Sequence, residues 1–132
     1  MLKTIQFAEQ NHQKYLTELS EFLRIPSIST QSDRDDDTAR AAAWLATAMR
    51  NAGMEHVTVY ETEGHPLVYA DWLHAGPGAP TVLIYGHYDV QPPDPLELWE
   101  SPPFEPVIRD DYIYARGAAD DKGQVYIHVK SV

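Results

Sequence analysis

The stretch from residue 81 to residue 92 decides the fold, and it reads "TVLIYGHYDVQP". Its first half, "TVLIYG", is short, continuous and apolar, which is typical of a β-strand covered on both faces. The sequence therefore predicts a buried central strand over residues 81–86. His87 and Asp89 follow it directly, and side chains two residues apart on extended backbone point to the same face. In open α/β sheets, functional sites gather at the carboxyl ends of strands, so we expect a site here.

The chemistry of His87 and Asp89 admits two interpretations. An imidazole can bind zinc through one ring nitrogen, and a nearby carboxylate can hold the orientation of the ring or stabilise its charge. A histidine and an aspartate at the end of a strand can also form nothing more than a capped loop. The tripeptide "HYD" alone does not decide between a metal site and such a loop.

A second acidic stretch, "GAADDKG", occupies residues 117–123. Its two glycines, Gly117 and Gly123, permit unusual backbone angles and close approach of other groups. Asp120 and Asp121 are adjacent carboxylates, which repel each other unless a cation or Lys122 compensates them. Since a carboxylate has two oxygens, one aspartate can bridge two metal ions. Alone, the stretch could equally be the acidic start of a helix. Together with a histidine after a buried strand, it favours a metal site.

The rest of the chain shows helix and strand patterns in turn. Apolar residues recur at helical spacing from residue 4 to about residue 24, and Pro26 ends that helix. A second helix begins at residues 35–37 and ends at Gly53. Its first three residues are aspartates, and the positive charge of a helix N-terminus explains them better than a metal cluster does. The sequence further predicts strands in "HVTVYE" and "PLVYADW", a hairpin in "VIRDDYIYA" around Asp110 and Asp111, and a helix from about Lys122. This order indicates one α/β domain over residues 1–132, with a mixed sheet flanked by helices.

Composition excludes several classes of function. The chain has 20 Asp and Glu residues against 10 Lys and Arg, and its net charge of −10 argues against nucleic-acid binding because it repels phosphate. There is no cysteine, which removes disulfides, thiolate zinc sites and cysteine nucleophiles. The N-terminus lacks the apolar core of a signal peptide, and no apolar run approaches the length of a membrane span. We therefore expect a cytoplasmic location and no membrane partner.

Other catalytic patterns are missing from the sequence. It contains no G-x-S-x-G nucleophile turn, no P-loop and no dinucleotide-binding glycine pattern. The remaining histidines have no partner at ligand spacing, so we expect them to be ordinary surface or core residues: His12, His56, His65, His74 and His128.

Three motifs in order resemble one known family. "GHYDVQP", "WESPPFEP" from Trp99 to Pro106 and "YARGAADDKG" are similar to motifs of the dinuclear zinc peptidases that include carnosine dipeptidases, aminoacylase and acetylornithine deacetylase. The earlier "RIPSIS" also fits, and "HYDVQP" with "WESPPFEP" most resembles the dipeptidase branch. The resemblance covers essentially the whole chain.

The resemblance implies a role for each of three residues. His87 matches a histidine ligand of one zinc, and Asp120 matches the carboxylate that bridges two zinc ions, with manganese or cobalt as possible substitutes. Asp89 matches the catalytic aspartate, which tunes and orients the site without binding metal directly. The family cleaves an amide with a metal-activated water and a glutamate general base, and the peptide bond that matches Asp120–Asp121 is cis.

The sequence departs from the family pattern by stopping after the third motif. Nothing in it matches the general-base glutamate, the later ligands or the inserted lid domain that mediates dimers. The resemblance therefore implies the N-terminal part of the catalytic domain of a homodimeric, zinc-dependent dipeptidase, with a dipeptide or small amide as substrate. We expect the isolated chain to be inactive. The alternatives are a deacylase of N-acyl amino acids in the same family and a non-catalytic protein that keeps the fold.

Overall fold

The computed structural model describes residues 2–132, and it begins with a long helix, α1 (Leu2–Leu23). The predicted apolar stripe is present, but only its C-terminal end is fully covered, where Phe22 and Leu23 are 0% exposed. The helix ends close to where the sequence predicts, because the residue before Pro26 is disfavoured in helical backbone. Its buried end is therefore the part that contributes to the core.

The second helix, α2 (Asp35–Asn51), follows a short 3-10 turn at Ser32–Arg34. Its first turn holds the three consecutive aspartates, as predicted, and Gly53 just beyond it has a φ of 91°. One face of α2 is rich in alanine, which lets it approach α1 closely. The rings of Phe22 and Trp44 stack there, with centroids 4.4 Å apart and planes 7° from parallel.

The strands form two separate antiparallel pairs. β1 (Glu55–Tyr60) pairs with β2 (Leu67–Asp71), and β3 (Val107–Arg109) pairs with β4 (Tyr112–Tyr114). Residues 110 and 111 form the predicted turn of the second pair, with φ values of 49° and 65°. Both are aspartates, which tolerate this left-handed region better than most residues. The α/β class is confirmed, with small antiparallel sheets in place of one mixed sheet.

The third helix, α3 (Lys122–Ser131), begins where the sequence predicts and packs on α1. Val125 and Val129 enter the core beside Phe22 and Leu45. Within residues 2–132, no helix combines the length and apolar character that crossing a membrane requires.

The predicted buried strand over residues 81–86 is wrong for this chain. The segment forms no strand, and its apolar side chains are open to solvent: Val82 is 80%, Leu83 87% and Tyr85 85% exposed. An apolar run is buried only when strands pair along its edges and other layers cover its faces. Within the described residues, β1 pairs with β2 and β3 with β4, and none of them pairs with this segment. His87 and Asp89 therefore do not lie at the edge of a central sheet.

Candidate metal centre

The backbone around His87 is held by the loop that follows α1. The N–H of Val90 donates to the carbonyl of Ser27 at 2.8 Å, and the Ser27 hydroxyl donates to the carbonyl of Tyr88 at 2.7 Å. Ser27 is 0% exposed and Val90 is 2% exposed, so both hydrogen bonds are shielded from water. The loop therefore fixes the geometry of this segment, which does not belong to a sheet.

Of the three predicted site residues, His87 lies within hydrogen-bond distance of both Asp89 and Asp120, one at each ring nitrogen. His87 Nδ1 lies 3.1 Å from both the carbonyl oxygen and Oδ1 of Asp89, which fits a protonated Nδ1 that donates to them. His87 Nε2 lies 3.0 Å from Oδ1 of Asp120. His87 and Asp120 therefore meet as predicted, whereas Asp89 lies at the other ring nitrogen and does not join them around one ion; no sheet edge positions the three residues.

The Asp120–Asp121 peptide bond is cis, as the family resemblance implies. The two carboxylates have separate partners. Asp120 contacts the imidazole of His87, and its side chain is 81% exposed. Oδ2 of Asp121 accepts the backbone N–H of His87 at 3.1 Å. The imidazole and the main chain of His87 are therefore each fixed by a different member of the acidic pair.

Two glycines of the acidic stretch are required by the backbone. Gly117 has a φ of 84°, a value that favours glycine, and a Cβ there would lie 2.8 Å from Val90 Cγ1. A Cβ on Gly123 would lie 2.0 Å from the carbonyl oxygen of Ala118, which leaves no room for any side chain. Close approach is thus the physical reason for both glycines, as the sequence predicts.

Lys122 anchors the acidic stretch to the end of α1. Its side chain is 0% exposed, and Nζ donates to the carbonyls of Phe22 at 3.0 Å and Ile25 at 2.6 Å. These carbonyls lie at the negative C-terminal end of the helix, where an ammonium is favoured. Burial, together with the charge of Arg40, lowers the pKa of Lys122 to about 7. The sequence predicts Lys122 as a helix start and as a possible partner of Asp120 and Asp121, but its Nζ contacts backbone carbonyls at the end of α1 instead.

Ser29 contacts the candidate site, and sequence reasoning missed it. Its hydroxyl donates to Oδ2 of Asp89 at 2.5 Å, and its carbonyl oxygen lies 2.8 Å from Nε2 of His65. Ser29 falls in the "RIPSIS" motif, which was the one available signal. His65 was expected to be an ordinary residue, and it in fact contacts the backbone behind the site.

The carboxylates around His87 control its charge. Burial lowers the pKa of His87, but the hydrogen bond to the Asp89 carbonyl and the charges of Asp89, Asp120 and Asp121 outweigh it, so the pKa is raised above its ordinary value. A metal cation would compete with the proton for Nε2 of this ring.

The donor atoms fit part of a zinc site. Imidazole nitrogen and carboxylate oxygen are both zinc ligands, and two ligand atoms of one tetrahedral zinc lie about 3.3 Å apart, given bonds of about 2.0–2.1 Å. The observed separation of His87 Nε2 and Asp120 Oδ1 is 3.0 Å, which is close to that value. Residues 2–132 contain no group of three or more His, Asp or Glu side chains placed to hold one ion. The pair is therefore a compatible but incomplete ligand set.

A cleft adjoins the candidate site along the chain. Ala118 and Ala119, which directly precede Asp120, line a cleft of about 600 Å³. The aromatic side chains of Trp99 and Tyr114 form further parts of its lining, and Arg109 lies 4.5 Å above the ring of Tyr114. The "WESPPFEP" motif and the β3–β4 hairpin thus meet beside the acidic stretch.

Two further histidines that were expected to be ordinary, His56 and His74, lie on or near the first strand pair. His56 Nδ1 lies 2.7 Å from Asp71 Oδ1, and His74 Nε2 lies 2.8 Å from Glu55 Oε2. Both histidine side chains are more than half exposed. They form ordinary surface ion pairs, as expected.

Comparison with known proteins places the "GHYDVQP" and "GAADDKG" motifs in a family. Residues 83–132 match the model of Peptidase family M20/M25/M40, and this confirms the family resemblance inferred from the motifs. A succinyl-diaminopimelate desuccinylase of Xanthomonas euvesicatoria pv. vesicatoria (strain 85-10) is 45% identical over 89 residues. That alignment covers 66% of this chain and 22% of the relative.

Two solved structures share the fold. Human carnosine dipeptidase 1 superposes with a TM-score of 0.85 at 27% identity, over 98% of this chain and 29% of that one. An M20 family metallo-carboxypeptidase from Sulfolobus solfataricus gives a TM-score of 0.77 at 40% identity, over 87% of this chain and 25% of that one. The chain therefore has the fold of part of an M20 catalytic domain and spans less than a third of each of these relatives.

Proposed function

We propose that this chain forms part of a metal-dependent hydrolase that cleaves a peptide or related amide bond with water. The contact between His87 Nε2 and Asp120 Oδ1 carries the proposal, because it brings a nitrogen and an oxygen ligand together at 3.0 Å. When bound, zinc would supply Lewis-acid polarisation of the amide carbonyl and of the attacking water. The family match to residues 83–132 supports this reaction class.

Each site residue has a separate task in this proposal. Asp89 accepts a hydrogen bond from Nδ1–H of His87, which leaves Nε2 as the nitrogen that a metal would bind in place of a proton. Asp120, with a carboxylate that is largely exposed, has a second oxygen available for another ion. Asp121 holds the backbone of His87 from the other side.

We propose a dipeptide as the substrate class, with zinc as the metal. The motifs of the dipeptidase branch support this, as does the fold shared with human carnosine dipeptidase 1. A second candidate is deacylation of an N-acyl amino acid, which the 45% identity to a protein named succinyl-diaminopimelate desuccinylase favours. Formation of a homodimer stays a prediction from the family resemblance.

Metal binding by the 132-residue chain is the first test. We expect His87→Ala and Asp120→Ala each to abolish zinc binding in titration calorimetry, because each removes one of two ligands. Asp89→Ala should weaken binding roughly 10- to 100-fold, since its partner is the ligand and not the ion. His12→Ala, at an exposed position on α1, is the matched control and should bind as the wild type does. Zinc binding that survives both ligand substitutions would contradict the proposed site.

Hydrolysis is the second test, and it separates the substrate classes. The chain and any longer protein that contains it are assayed with zinc or manganese on a dipeptide panel and on N-succinyl and N-acetyl amino acids. We expect no turnover by the chain alone, because it holds an incomplete ligand set, and dipeptide turnover by a longer protein. Exclusive turnover of N-acyl amino acids would favour the deacylase. A longer protein without metal or turnover would support a non-catalytic role.

A further inference from the structure

The carboxylate of Asp89 is held at both of its oxygens. Oδ1 lies 3.1 Å from His87 Nδ1, and Oδ2 accepts the hydroxyl of Ser29 at 2.5 Å. The terminal torsion of an aspartate is broad and roughly two-fold, so this carboxylate has no strong orientation of its own. The Ser29 contact therefore selects which oxygen faces the imidazole.

Ser29 is itself fixed by its surroundings. Its carbonyl oxygen contacts Nε2 of His65 at 2.8 Å, and Ser27, two residues earlier, is bound to Tyr88 and Val90. The hydroxyl of Ser29 therefore extends from a backbone that is restrained on both sides. A restrained donor can orient a carboxylate at little entropic cost, whereas a mobile donor cannot.

The hydroxyls of Ser27 and Ser29 contact different kinds of groups, one on the backbone and one in the candidate site. The Ser27 hydroxyl contacts a backbone carbonyl, that of Tyr88, and so supports the fold of the loop. The Ser29 hydroxyl contacts a side chain of the candidate site. This difference separates a residue that supports structure from one that acts on the site.

We propose that Ser29 is a positioning residue, which acts through Asp89 to fix the orientation of the His87 imidazole. The inference rests on the proposed function, because it assigns a support for the same site. Ser29 holds Oδ2 of Asp89, Oδ1 then meets Nδ1 of His87, and Nε2 is directed at Asp120. Without the hydroxyl, the Asp89 carboxylate rotates, Nδ1 of His87 keeps only the Asp89 carbonyl as its acceptor, and the imidazole is held less firmly.

The test measures the imidazole directly in the metal-free 132-residue chain. Long-range proton–nitrogen NMR spectra of the ¹⁵N-labelled chain report the proton on His87 Nδ1. We expect this resonance in the wild type and its loss through exchange broadening in Ser29→Ala. Ser29→Thr keeps a hydroxyl and should restore the resonance. Thr30→Ala, which changes the neighbouring exposed residue, is the matched control and should leave the resonance in place.

The outcomes separate this inference from a purely structural role. An unchanged His87 resonance in a folded Ser29→Ala chain would overturn it. If Ser29→Ala does not fold, Ser29→Thr decides: a folded variant with the resonance supports the proposal, and a folded variant without it refutes the proposal. In a longer protein with turnover, Ser29→Ala should lower kcat roughly 10-fold with KM little changed. The NMR measurement needs neither metal nor turnover. A longer protein that fails to hydrolyse its substrates would therefore refute the proposed function and leave this inference untouched.

Discussion

Gly86 determines how closely the His87 segment approaches α3. A Cβ at this position would lie 2.5 Å from Val125 Cγ2 and 2.9 Å from Asp121 Oδ2. Val125 belongs to the core, and Asp121 holds the backbone N–H of His87, so neither can move freely. The absence of a side chain at residue 86 is thus required for the His87 segment to contact the acidic stretch before α3.

Gly86→Ala should therefore destabilise the chain, although replacing glycine by alanine often stabilises a protein. We expect the free energy of unfolding to fall by about 1–3 kcal/mol, the usual cost of overpacking a core. Gly64→Ala is the matched control, since a Cβ there meets only Thr62 Oγ1 at 3.9 Å, and it should change stability by less than about 0.5 kcal/mol. Urea denaturation measures both. Equal stability of the two variants would show that the close approach at Gly86 is unimportant.

Lys122→Met tests the anchor between the acidic stretch and α1. Methionine fills a similar volume but leaves the carbonyls of Phe22 and Ile25 without their buried donor. We expect a loss of roughly 1–3 kcal/mol in the free energy of unfolding, because each carbonyl loses a hydrogen bond worth about 0.5–1.5 kcal/mol but keeps a backbone donor, the N–H of Ile25 for Phe22 and that of Ser27 for Ile25. Lys14→Met removes an exposed lysine, 65% accessible, and should cost less than about 1 kcal/mol. A Lys122→Met chain as stable as Lys14→Met would refute the anchoring role.

The sequence predicts a residue's role more readily when its partners lie near it along the chain. His87, Asp89 and Asp120 stand in two compact motifs, which together favour metal chemistry although neither does so alone. Ser29 lies 60 positions from Asp89, and Lys122 lies 100 positions from Phe22. No local periodicity records contacts over such separations, because the intervening chain can take many paths. Motifs therefore predicted the site, and only the structure identified its supports.

The contact between α1 and α3 is organised around one carboxylate. Oε2 of Glu18 accepts the Tyr126 hydroxyl at 2.5 Å and lies 2.7 Å from Lys130 Nζ. Lys130 also lies over the rings of Tyr15 and Tyr126. Burial raises the pKa of Glu18, but its hydrogen bonds with Lys130 and Tyr126 outweigh this, so the pKa is lowered from its ordinary value of 4.5.

Glu18 should make the packing of α3 on α1 sensitive to acid. Because its pKa is lower in the folded chain, its stabilisation is complete above pH 4.5 and is lost as pH falls through the folded pKa. We expect Glu18→Gln to reduce the free energy of unfolding by roughly 1–3 kcal/mol at pH 7, with the difference from wild type shrinking as the pH falls below 4.5. Glu9→Gln, on the exposed part of α1, should follow the wild type throughout. A Glu18→Gln deficit that is the same at pH 7 and pH 3 would contradict this account.

Elements differed in how well the sequence predicted them. The three helices and two hairpins each contain their own signals, such as apolar spacing, acidic first turns and turn residues. The "TVLIYG" stretch has the composition of a central strand, yet it is not one in this chain. A helix satisfies its backbone within one segment, whereas a strand requires neighbours. Composition can therefore predict a tendency towards a strand without predicting that the strand forms.

The surface of the whole molecule combines high charge with one strongly apolar segment. The net charge of −10 favours solubility. Residues 82–85 nevertheless expose valine, leucine, isoleucine and tyrosine on a segment outside both sheets. Exposed apolar segments of high β-propensity with unpaired backbone are templates for association between chains.

Leu83→Lys should reduce self-association of the chain while leaving its stability nearly unchanged. Leu83 is 87% exposed, so we expect less than about 0.5 kcal/mol of change in the free energy of unfolding. Leu2→Lys makes the same change of charge at a residue that is 78% exposed on α1, and it should associate as the wild type does. Light scattering and sedimentation velocity over a range of concentrations measure the effect. Equal association of both variants would show that net charge, and not the unpaired segment, controls it.

The anchor of Lys122 on α1 also constrains the order in which the molecule assembles. The contact with Phe22 closes a loop of 100 positions, and the entropy of closing such a loop costs about 4 kcal/mol before any contact offsets it. The helices and hairpins close far shorter loops and can form first. His87 lies 33 positions from Asp120, so their contact closes a shorter loop than the anchor does. During synthesis, the ribosome must release residues 120–122 before His87 can meet Asp120 and before α1 can meet Lys122.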